Sequence, residues 1–288
     1  MAGTENNNLA VRTYQKQFID LLNAIYGVQA AFTPTFGALQ TIDGISNKDT
    51  AFSVKTNDVD VVLGAYSTDP NVGVGTGTSS SSRFGNATEI IYKDTDVPYT
   101  APWAFNEAID IHTVNIDQDA AIADRLELQS RKLTSRLNVE QGKYLADKSV
   151  DLGVIDDIVA LFDEASKRYT NLEVTASLRA YVSAEIWNKI NIDPIVTAEK
   201  GSAANIDTNY LYNFRGIFLT KVPDKYLAGK AVIFAPDNIG RSFTGIETTR
   251  TVVSQDFDGV LLQGAGKGGE FIPDDNLKAV FTATVPAP

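Results

Sequence analysis

The stretch from Ile116 to about Lys148 constrains the fold more than any other part of the chain. It contains no proline and one glycine, so nothing in it ends a helix early. Asp117 is the predicted N-cap, and Asp119 suits the positive end of the helix dipole. Apolar residues recur at helical spacing along it, namely Ile122, Leu126, Leu133, Leu137 and Leu145. At ~1.5 Å per residue this helix would be roughly 45 Å long, several times the average for globular proteins.

Charge limits the classes of partner. The chain has 25 Lys and Arg against 36 Asp and Glu, and 25 − 36 gives a net charge of −11. The basic residues of the predicted helix alternate with Glu127 and Glu140, which indicates a solvated face and not a basic stripe. Binding of nucleic acid through the bulk surface needs clustered Lys and Arg, so the composition argues against it.

Several other classes are disfavoured by what the sequence lacks. Cysteine is absent, which removes disulfides, thiolate metal sites and cysteine nucleophiles. The first residues show no secretory signal pattern, and no stretch approaches the ~18 consecutive apolar residues of a membrane span. We therefore expect no membrane association.

The region before the long helix is predicted to be extended. Residues 1–13 are polar and Asn-rich and indicate a flexible arm, and the stretch from Tyr14 to Tyr26 has the spacing of a short helix. Strand-like runs follow on both sides of a Gly- and Ser-rich segment from Asp69 to Gly85, including Glu89 to Tyr92. We expect a long two-stranded ribbon with a flexible tip, and a ribbon of this kind normally needs a partner surface.

The region after the long helix alternates helices and short strands. A helix is predicted from Val154 to Tyr169, a strand from Ser177 to Ser183, and a helix from Ala184 to Ile190 capped by Ser183. An exposed loop is expected from Pro194 to Asn209. Five apolar strands then follow, from Gly216 to Val222, Ala231 to Ala235, Thr251 to Gln255, Gly259 to Gln263 and Lys278 to Val285. The fold class is α+β.

No catalytic, cofactor-binding or metal site is predicted. His112 is the single histidine, on an apparent strand before the long helix, and a structural or surface role is the expectation. The run GAGKGG, from Gly264 to Gly269, satisfies G-x-G-x-x-G, but the EFIPDD that follows does not indicate a helix. A dinucleotide fingerprint needs that helix, so we interpret the run as a hairpin turn.

Five segments in order carry a resemblance to a known family. They run from Asn47 to Val59, Ser82 to Tyr99, Phe105 to Asp117, Arg179 to Ile190 and Glu270 to Val285. With the order of the elements, they resemble the tailed-bacteriophage major capsid proteins of the Hong-Kong-ninety-seven type, particularly those of phages of Gram-positive bacteria. The resemblance spans nearly the whole chain.

The resemblance implies a phage major capsid fold with an N-arm, an extended E-loop, a long spine helix, a peripheral P-domain and an axial A-domain. Residues 1–42 would be the arm and short helix, 43–100 the E-loop-like ribbon, and 101–153 the P-domain strand and spine helix. Residues 154–250 would be mainly A-domain, and 251–288 would return to the P-domain.

The resemblance also implies a function, partners and a location. The chain would be no enzyme, would need no cofactor, and would assemble into pentamers and hexamers of an icosahedral head around double-stranded DNA. The partners that the resemblance implies are a separate scaffolding protein, a portal and decoration proteins, with packaged DNA bound without sequence specificity. The location would be the virion, after assembly in the host bacterial cytoplasm.

Interface residues are predicted by position alone. Arg83, Phe84 and Gly85 lie at the ribbon tip, and Arg12 and Tyr14 lie in the arm. The loop from Pro194 to Asn209 is a further candidate, and the alternative for the tip and the loop is disordered surface.

Three other functions stay open at this point. An encapsulin-type nanocompartment shell would share the arm and the ribbon. A hydrolase would use carboxylates together with His112. A phage tail or adaptor protein is a further structural alternative, although the long helix argues against a tail-tube β-sandwich.

Overall fold

The structure is a computed structural model of the 288-residue chain. The residues that it describes are 30–41, 50–56, 61–69, 72, 82–100, 102–114, 118–154, 157–192, 204–205, 210–211, 213–245 and 248–284. The chain divides into a smaller unit, residues 44–98, and a larger unit made of the residues before and after it.

The described residues form helices and strands in alternation. The helices are α1 (Thr33–Phe36), α2 (Ile111–Val114), α3 (Gln118–Lys148), α4 (Ile158–Asn171), α5 (Ala184–Ile192) and α6 (Asp274–Leu277), with a 3₁₀ turn at Asp224–Tyr226. The strands up to the middle of the chain are β1 (Gln40–Thr41), β2 (Thr50–Thr56), β3 (Lys93–Pro98), β4 (Trp103–Asp110), β5 (Val150–Val154), β6 (Leu178–Val182), β7 (Ala204–Asn205) and β8 (Tyr210–Leu211). The later strands are β9 (Asn213–Phe214), β10 (Ile217–Lys221), β11 (Val232–Pro236), β12 (Arg241–Thr244), β13 (Thr248–Val253), β14 (Gly259–Gly266), β15 (Gly268–Phe271) and β16 (Phe281–Thr284).

Helix α3 confirms the predicted long helix. It runs unbroken for 31 residues, which corresponds to roughly 45 Å. Two of its arginines form ion pairs with glutamates one turn away, Arg131 with Glu127 and Arg136 with Glu140. The predicted cap, Asp117, lies outside the described residues.

A mixed six-stranded sheet of order β5-β16-β11-β6-β10-β9 forms the centre of the larger unit. Successive residues of a strand point to opposite faces, and both faces here are covered. One face carries Ala180, Val182 and Phe234 and packs against apolar side chains of α4 and α5, among them Phe162 and Trp187. This arrangement explains why these strands read as continuous apolar runs.

The opposite face of this sheet packs against the C-terminal half of α3. Tyr181 and Ile233 belong to this second core, together with Leu145 of α3. Residues 30–36 close it: Phe32 is fully buried, and the backbone N–H of Ala31 donates to Asn138 Oδ1 of α3 at 2.9 Å. The larger unit therefore stacks helices, sheet, and long helix in three layers.

Within the described residues, the larger unit also contains two three-stranded sheets, β13-β14-β4 and β1-β12-β15, and the short antiparallel pair β7-β8. The Gly264–Gly269 run passes from β14 of one sheet into β15 of the other, with Lys267 between them. The predicted hairpin turn is therefore wrong. The glycines serve cross-strand packing: Trp103 and Phe105 of β4 are stacked 5.8 Å apart, and their rings lie where a Cβ on Gly266 or Gly264 would be.

The smaller unit contains the antiparallel pair β2-β3, in which Thr56 lies opposite Lys93. Ala51 and Val97 are its buried apolar residues. The strand predicted at residues 89–92 is absent, because β3 begins only at Lys93. Those residues do not join the β2-β3 ladder.

Three further predictions are resolved by local geometry. Val154 ends β5, and α4 begins at Ile158, where the Asp157 side chain accepts from the N–H groups of Val159 and Ala160. His112 lies in the helical turn α2 and not on a strand. Helix α5 and its Ser183 cap are confirmed, since Ser183 Oγ accepts from the N–H of Ile186 at 3.2 Å.

Some predictions fall on parts of the chain that are not described. The arm at 1–13 and the helix from Tyr14 to Tyr26 lie outside the described residues, as does most of the segment from Pro194 to Asn209.

Candidate subunit interface

Large apolar side chains are exposed along the smaller unit. Val61, Val62 and Leu63 are 84%, 78% and 92% exposed, and Phe84 is 83% exposed. Tyr66, Ile90, Ile91 and Tyr92 are also exposed. A cluster of this kind on one segment is typical of a surface that meets another protein.

The tip-proximal parts of this segment hold each other in place. The N–H of Ser67 donates to the carbonyl of Arg83 at 3.0 Å, and Arg83 Nη1 donates to the carbonyl of Ser67 at 3.1 Å. The rings of Tyr66 and Phe84 meet edge to face at 5.2 Å. Residues 66–67 and 83–84 thus lie side by side.

The structure gives the three described tip residues different roles. Phe84 presents its ring to solvent and is the contact candidate among them. Arg83 uses its guanidinium within the ribbon, and Gly85 adopts a φ of +80° at a turn in which its N–H donates to Ser82 O. Arg12 and Tyr14 lie outside the described residues. All five stay predicted interface residues.

The most exposed apolar residues of this surface lie in two runs whose sequence pattern predicts strands, Val59 to Leu63 and Glu89 to Tyr92. The strand pattern alone does not predict them as contacts. The signal was available, because a two-stranded segment has no third element against which to bury such runs.

The larger unit has a groove between α3 and β4 of about 860 Å³. Its apolar lining includes Trp103, Phe105 and Leu128. Glu107 of β4 accepts from Arg125 Nε at 2.7 Å and from the Gln129 amide, and the bond from Arg125 lowers the pKa of Glu107.

The rim of the groove carries uncompensated positive charge. Lys132 and Lys225 line it, and neither has a carboxylate partner among the described residues. Lys225 Nζ donates to Ser135 Oγ at 3.1 Å and lies over the Tyr226 ring. On a chain of net charge −11, this groove suits an acidic partner segment with apolar residues.

His112 shows no catalytic surroundings. Its side chain is 76% exposed, and its Nε2 lies 3.3 Å from Asp258 Oδ2, a carboxylate that is similarly exposed. In the described part of the chain, no group of three His, Cys, Asp or Glu residues could hold a metal ion. None of the helices described is both long and apolar enough to span a membrane.

Comparison with known sequences finds no protein-family model and no curated protein that matches the chain. Comparison with solved structures does find matches. A chain of Mycobacterium phage Che8 aligns with TM-score 0.65 and 14% identity over 90% of this chain and 92% of that one. A chain from the asymmetric unit of the bacteriophage PhiM1 mature capsid aligns with TM-score 0.64 and 7% identity over 92% and 89%. A virus-like particle from Pyrococcus furiosus aligns with TM-score 0.51 and 11% identity over 97% and 100%.

These alignments define the fold. The chain has the architecture of proteins that form viral capsids and related particles, along nearly its entire length. More particularly, it has the Hong-Kong-ninety-seven-type fold of tailed-phage capsid proteins, and the predicted α+β fold class is confirmed.

Proposed function

We propose that this chain is the major capsid protein of a tailed phage, and that it assembles as pentamers and hexamers into an icosahedral head around double-stranded DNA. The observation that carries the proposal is the extent of the structural likeness. The alignment to the phage Che8 chain covers 90% of this chain and 92% of that one, so the likeness extends over most of the fold.

The exposed ribbon supports assembly. Burying a Val or Leu side chain contributes about 1.5–3 kcal/mol, so Val61, Val62 and Leu63 together could stabilise a contact substantially. A shell repeats each contact many times, so modest individual contacts add up. The ribbon of one copy would cover these side chains against a neighbouring copy.

The groove between α3 and β4 is the proposed acceptor. Its apolar lining matches the apolar ribbon residues, and Lys132 and Lys225 match acidic residues such as Glu89, which precedes Ile90 and Ile91. Opposite charges at such a contact fix its register and disfavour wrong pairings.

Charge reversal tests this docking. The double variant Lys132→Glu, Lys225→Glu should leave a smaller fraction of the protein in shells, and Glu89→Lys in the same chain should restore part of it. Lys189→Glu on α5 is the matched control, because Lys189 pairs with Glu185 away from the groove. Unchanged assembly of the double variant would rule out the groove as acceptor.

The proposal assigns a part of the capsid fold to each stretch of the chain. Residues 1–42 would act as an arm that reaches across subunits, and 43–100 as the E-loop. Residues 101–153 and 251–288 would form the P-domain with the spine helix, and 154–250 mainly the A-domain.

Partners and location follow from the same proposal. A separate scaffolding protein, a portal and decoration proteins would join the chain, and assembly would occur in the host bacterial cytoplasm before the chain becomes part of the virion. An acidic wall would leave packaged DNA free to enter and leave, because like charges repel.

Negative-stain electron microscopy is the direct test, on the protein alone and co-expressed with the products of its neighbouring genes. Closed shells of uniform diameter, or rings of five and six, would support the proposal. Small particles in both preparations would contradict it and return attention to a hydrolase that uses His112.

An encapsulin-type shell is the second candidate. The observation that bears on it is the alignment to the Pyrococcus furiosus particle, which is complete over that chain but has the lower TM-score, 0.51 against 0.65. Terminase and portal genes beside the coding sequence would favour the phage head, and a cargo-enzyme gene would favour the nanocompartment.

A further inference from the structure

A second cavity of the larger unit, about 400 Å³, lies between α3 and the strands β4, β12, β13 and β15. Its walls are mostly apolar and include Leu126, Leu133, Leu137 and Phe243. It shares some wall residues with the groove described above, but Glu270 of β15 and Glu140 of α3 line this cavity and not the groove.

Two residues that line this cavity each carry a buried acceptor oxygen with no donor among the described residues. Glu270 is only 5% exposed, and its Oε1 makes no hydrogen bond. Gln129 is 8% exposed; its amide nitrogen donates to Glu107, and its Oε1 makes no hydrogen bond. A buried acceptor without a donor is costly, so each oxygen calls for a ligand that donates.

The charges around Glu270 are unbalanced. Arg136 also lines the cavity and pairs with Glu140, so a single guanidinium faces two carboxyl groups. Burial, and then repulsion from Glu140, raise the pKa of Glu270 to about 7, while Arg136 opposes the rise. A cation in the cavity would balance the carboxylate.

The spacing of these groups suggests the shape of a ligand. Gln129 and Glu140 lie about three turns apart on α3, roughly 16 Å along its axis. Leu133 and Leu137 lie between them and also line the cavity. Gln129 therefore lies toward one end of the α3 wall, and Glu140, whose charge acts on Glu270, lies toward the other, with apolar side chains between them.

We propose that this cavity binds an aliphatic diamine or polyamine. One ammonium group would donate to the Glu270 carboxylate, the other end of the ligand would donate to Gln129 Oε1, and the methylene chain would lie along Leu133 and Leu137. The proposal concerns the single subunit and does not depend on shell assembly.

Calorimetric titration of the purified subunit with diaminoalkanes, from diaminobutane to diaminodecane, tests the site. Binding should show an optimum chain length, because both ends must reach their acceptors. Affinity that does not vary with chain length would overturn the proposal, since diffuse attraction of amines to an acidic protein has no such optimum.

Two variants locate the site. Glu270→Gln should raise the Kd of the best diamine by about tenfold or more, because a charge-assisted hydrogen bond is lost. Thr249→Phe, at an exposed position that lines the cavity, should obstruct entry without altering the carboxylates, and serves if the first variant fails to fold. Glu127→Gln is the matched control, an exposed glutamate of α3 outside the cavity. Equal affinity of the wild type and both cavity variants would exclude this cavity.

The pH dependence is an independent readout. Glu270 must be ionised to hold an ammonium group, so affinity should rise from about pH 6 to about pH 8. The other groups that act on Glu270 are Glu140 and Arg136, and the Tyr144 phenol of α3 also senses its charge. The Glu270→Gln variant should lack this rise; an unchanged rise would assign it elsewhere.

Discussion

At the scale of single residues, Gly142 of α3 shows the closest contact with another backbone segment among the described glycines. A Cβ built on Gly142 would lie 1.7 Å from the carbonyl oxygen of Tyr226. The absence of a side chain there lets the helix rest directly on the backbone of the 3₁₀ turn, and the neighbouring Leu145 is fully buried.

Gly142→Ala should therefore destabilise the protein. Alanine gains about 1 kcal/mol of helix propensity, but the clash with backbone forces the turn away from the helix, and we expect a net loss of about 2 kcal/mol or more. Urea unfolding of the variant measures it. Gly64→Ala, with no atom within 4 Å of the added Cβ, is the control that should change little. A stabilised Gly142→Ala would mean that the turn yields easily.

Two buried tyrosines give a matched pair of predictions. The hydroxyl of Tyr169 has no partner among the described residues, whereas that of Tyr181 is 2.8 Å from Thr35 Oγ1. Tyr169→Phe should be neutral or stabilising by up to about 1 kcal/mol, and Tyr181→Phe should cost about 1–2 kcal/mol. Thermal unfolding of both variants decides this, and equal effects would contradict the assignment of the hydrogen bond.

At the scale of elements, the sequence predicted what periodicity and capping control. The helical spacing of the leucines predicts α3, and Ser183 as N-cap predicts the start of α5. The path of Gly264 to Gly269 was missed, because glycines that indicate a turn locally serve here to admit the rings of Trp103 and Phe105. Those contacts join strands far apart in sequence, so no local pattern reveals them.

The candidate interface could also be predicted only in part. Phe84 is a predicted contact because it lies in a ribbon that has no core of its own in which to bury the ring. The sequence pattern could not assign Arg83 to the Ser67 carbonyl, because that bond depends on how the two sides of the ribbon align. The charge on the groove rim also stayed hidden, since Lys132 and Lys225 are brought together only by the packing of the 3₁₀ turn against α3.

The burial of Glu270 on β15 near Glu140 of α3 predicts that the stability of the protein without a bound amine depends on pH. The pKa of Glu270 rises from its ordinary value of 4.5 to about 7 in the folded state. The folded protein thus binds more protons than the unfolded chain across that window, so the free energy of unfolding should fall as pH rises from about 4.5 to about 7 and then level off.

The size of that fall is of the order of 2–3 kcal/mol. Denaturant unfolding between pH 5 and pH 8 should show it in the wild type, and Glu270→Gln should remove most of it. Identical pH profiles for the two proteins would show that Glu270 titrates normally.

At the scale of the whole molecule, stability and the proposed assembly are carried by different parts. No residue of the two apolar clusters belongs to the unit 44–98, within the described chain. The three-layered larger unit supplies the buried core, while the smaller unit exposes Val61, Val62 and Leu63. The two properties should therefore respond separately to substitution.

The triple variant Val61→Ser, Val62→Ser, Leu63→Ser should leave the melting temperature of the subunit almost unchanged and abolish or strongly reduce shell formation. These side chains gain burial only in an assembly. Light scattering and electron microscopy measure the shells, and differential scanning calorimetry measures the subunit. Val61→Leu with Val62→Leu, which keeps the surface apolar, should still assemble. Normal shells from the serine variant would exclude these residues as contacts.

The packing of Trp103 and Phe105 over Gly266 and Gly264 also affects what a motif search finds in such a sequence. A motif scan for dinucleotide-binding fingerprints would retrieve this chain, although two of the three motif glycines, Gly264 and Gly266, face rings on the opposite strand. Replacing those rings with small residues would relax the demand for glycine at these two positions. In sheet-rich proteins, a glycine signature of this kind can record an aromatic neighbour, and checking the facing strand separates that case from a true nucleotide loop.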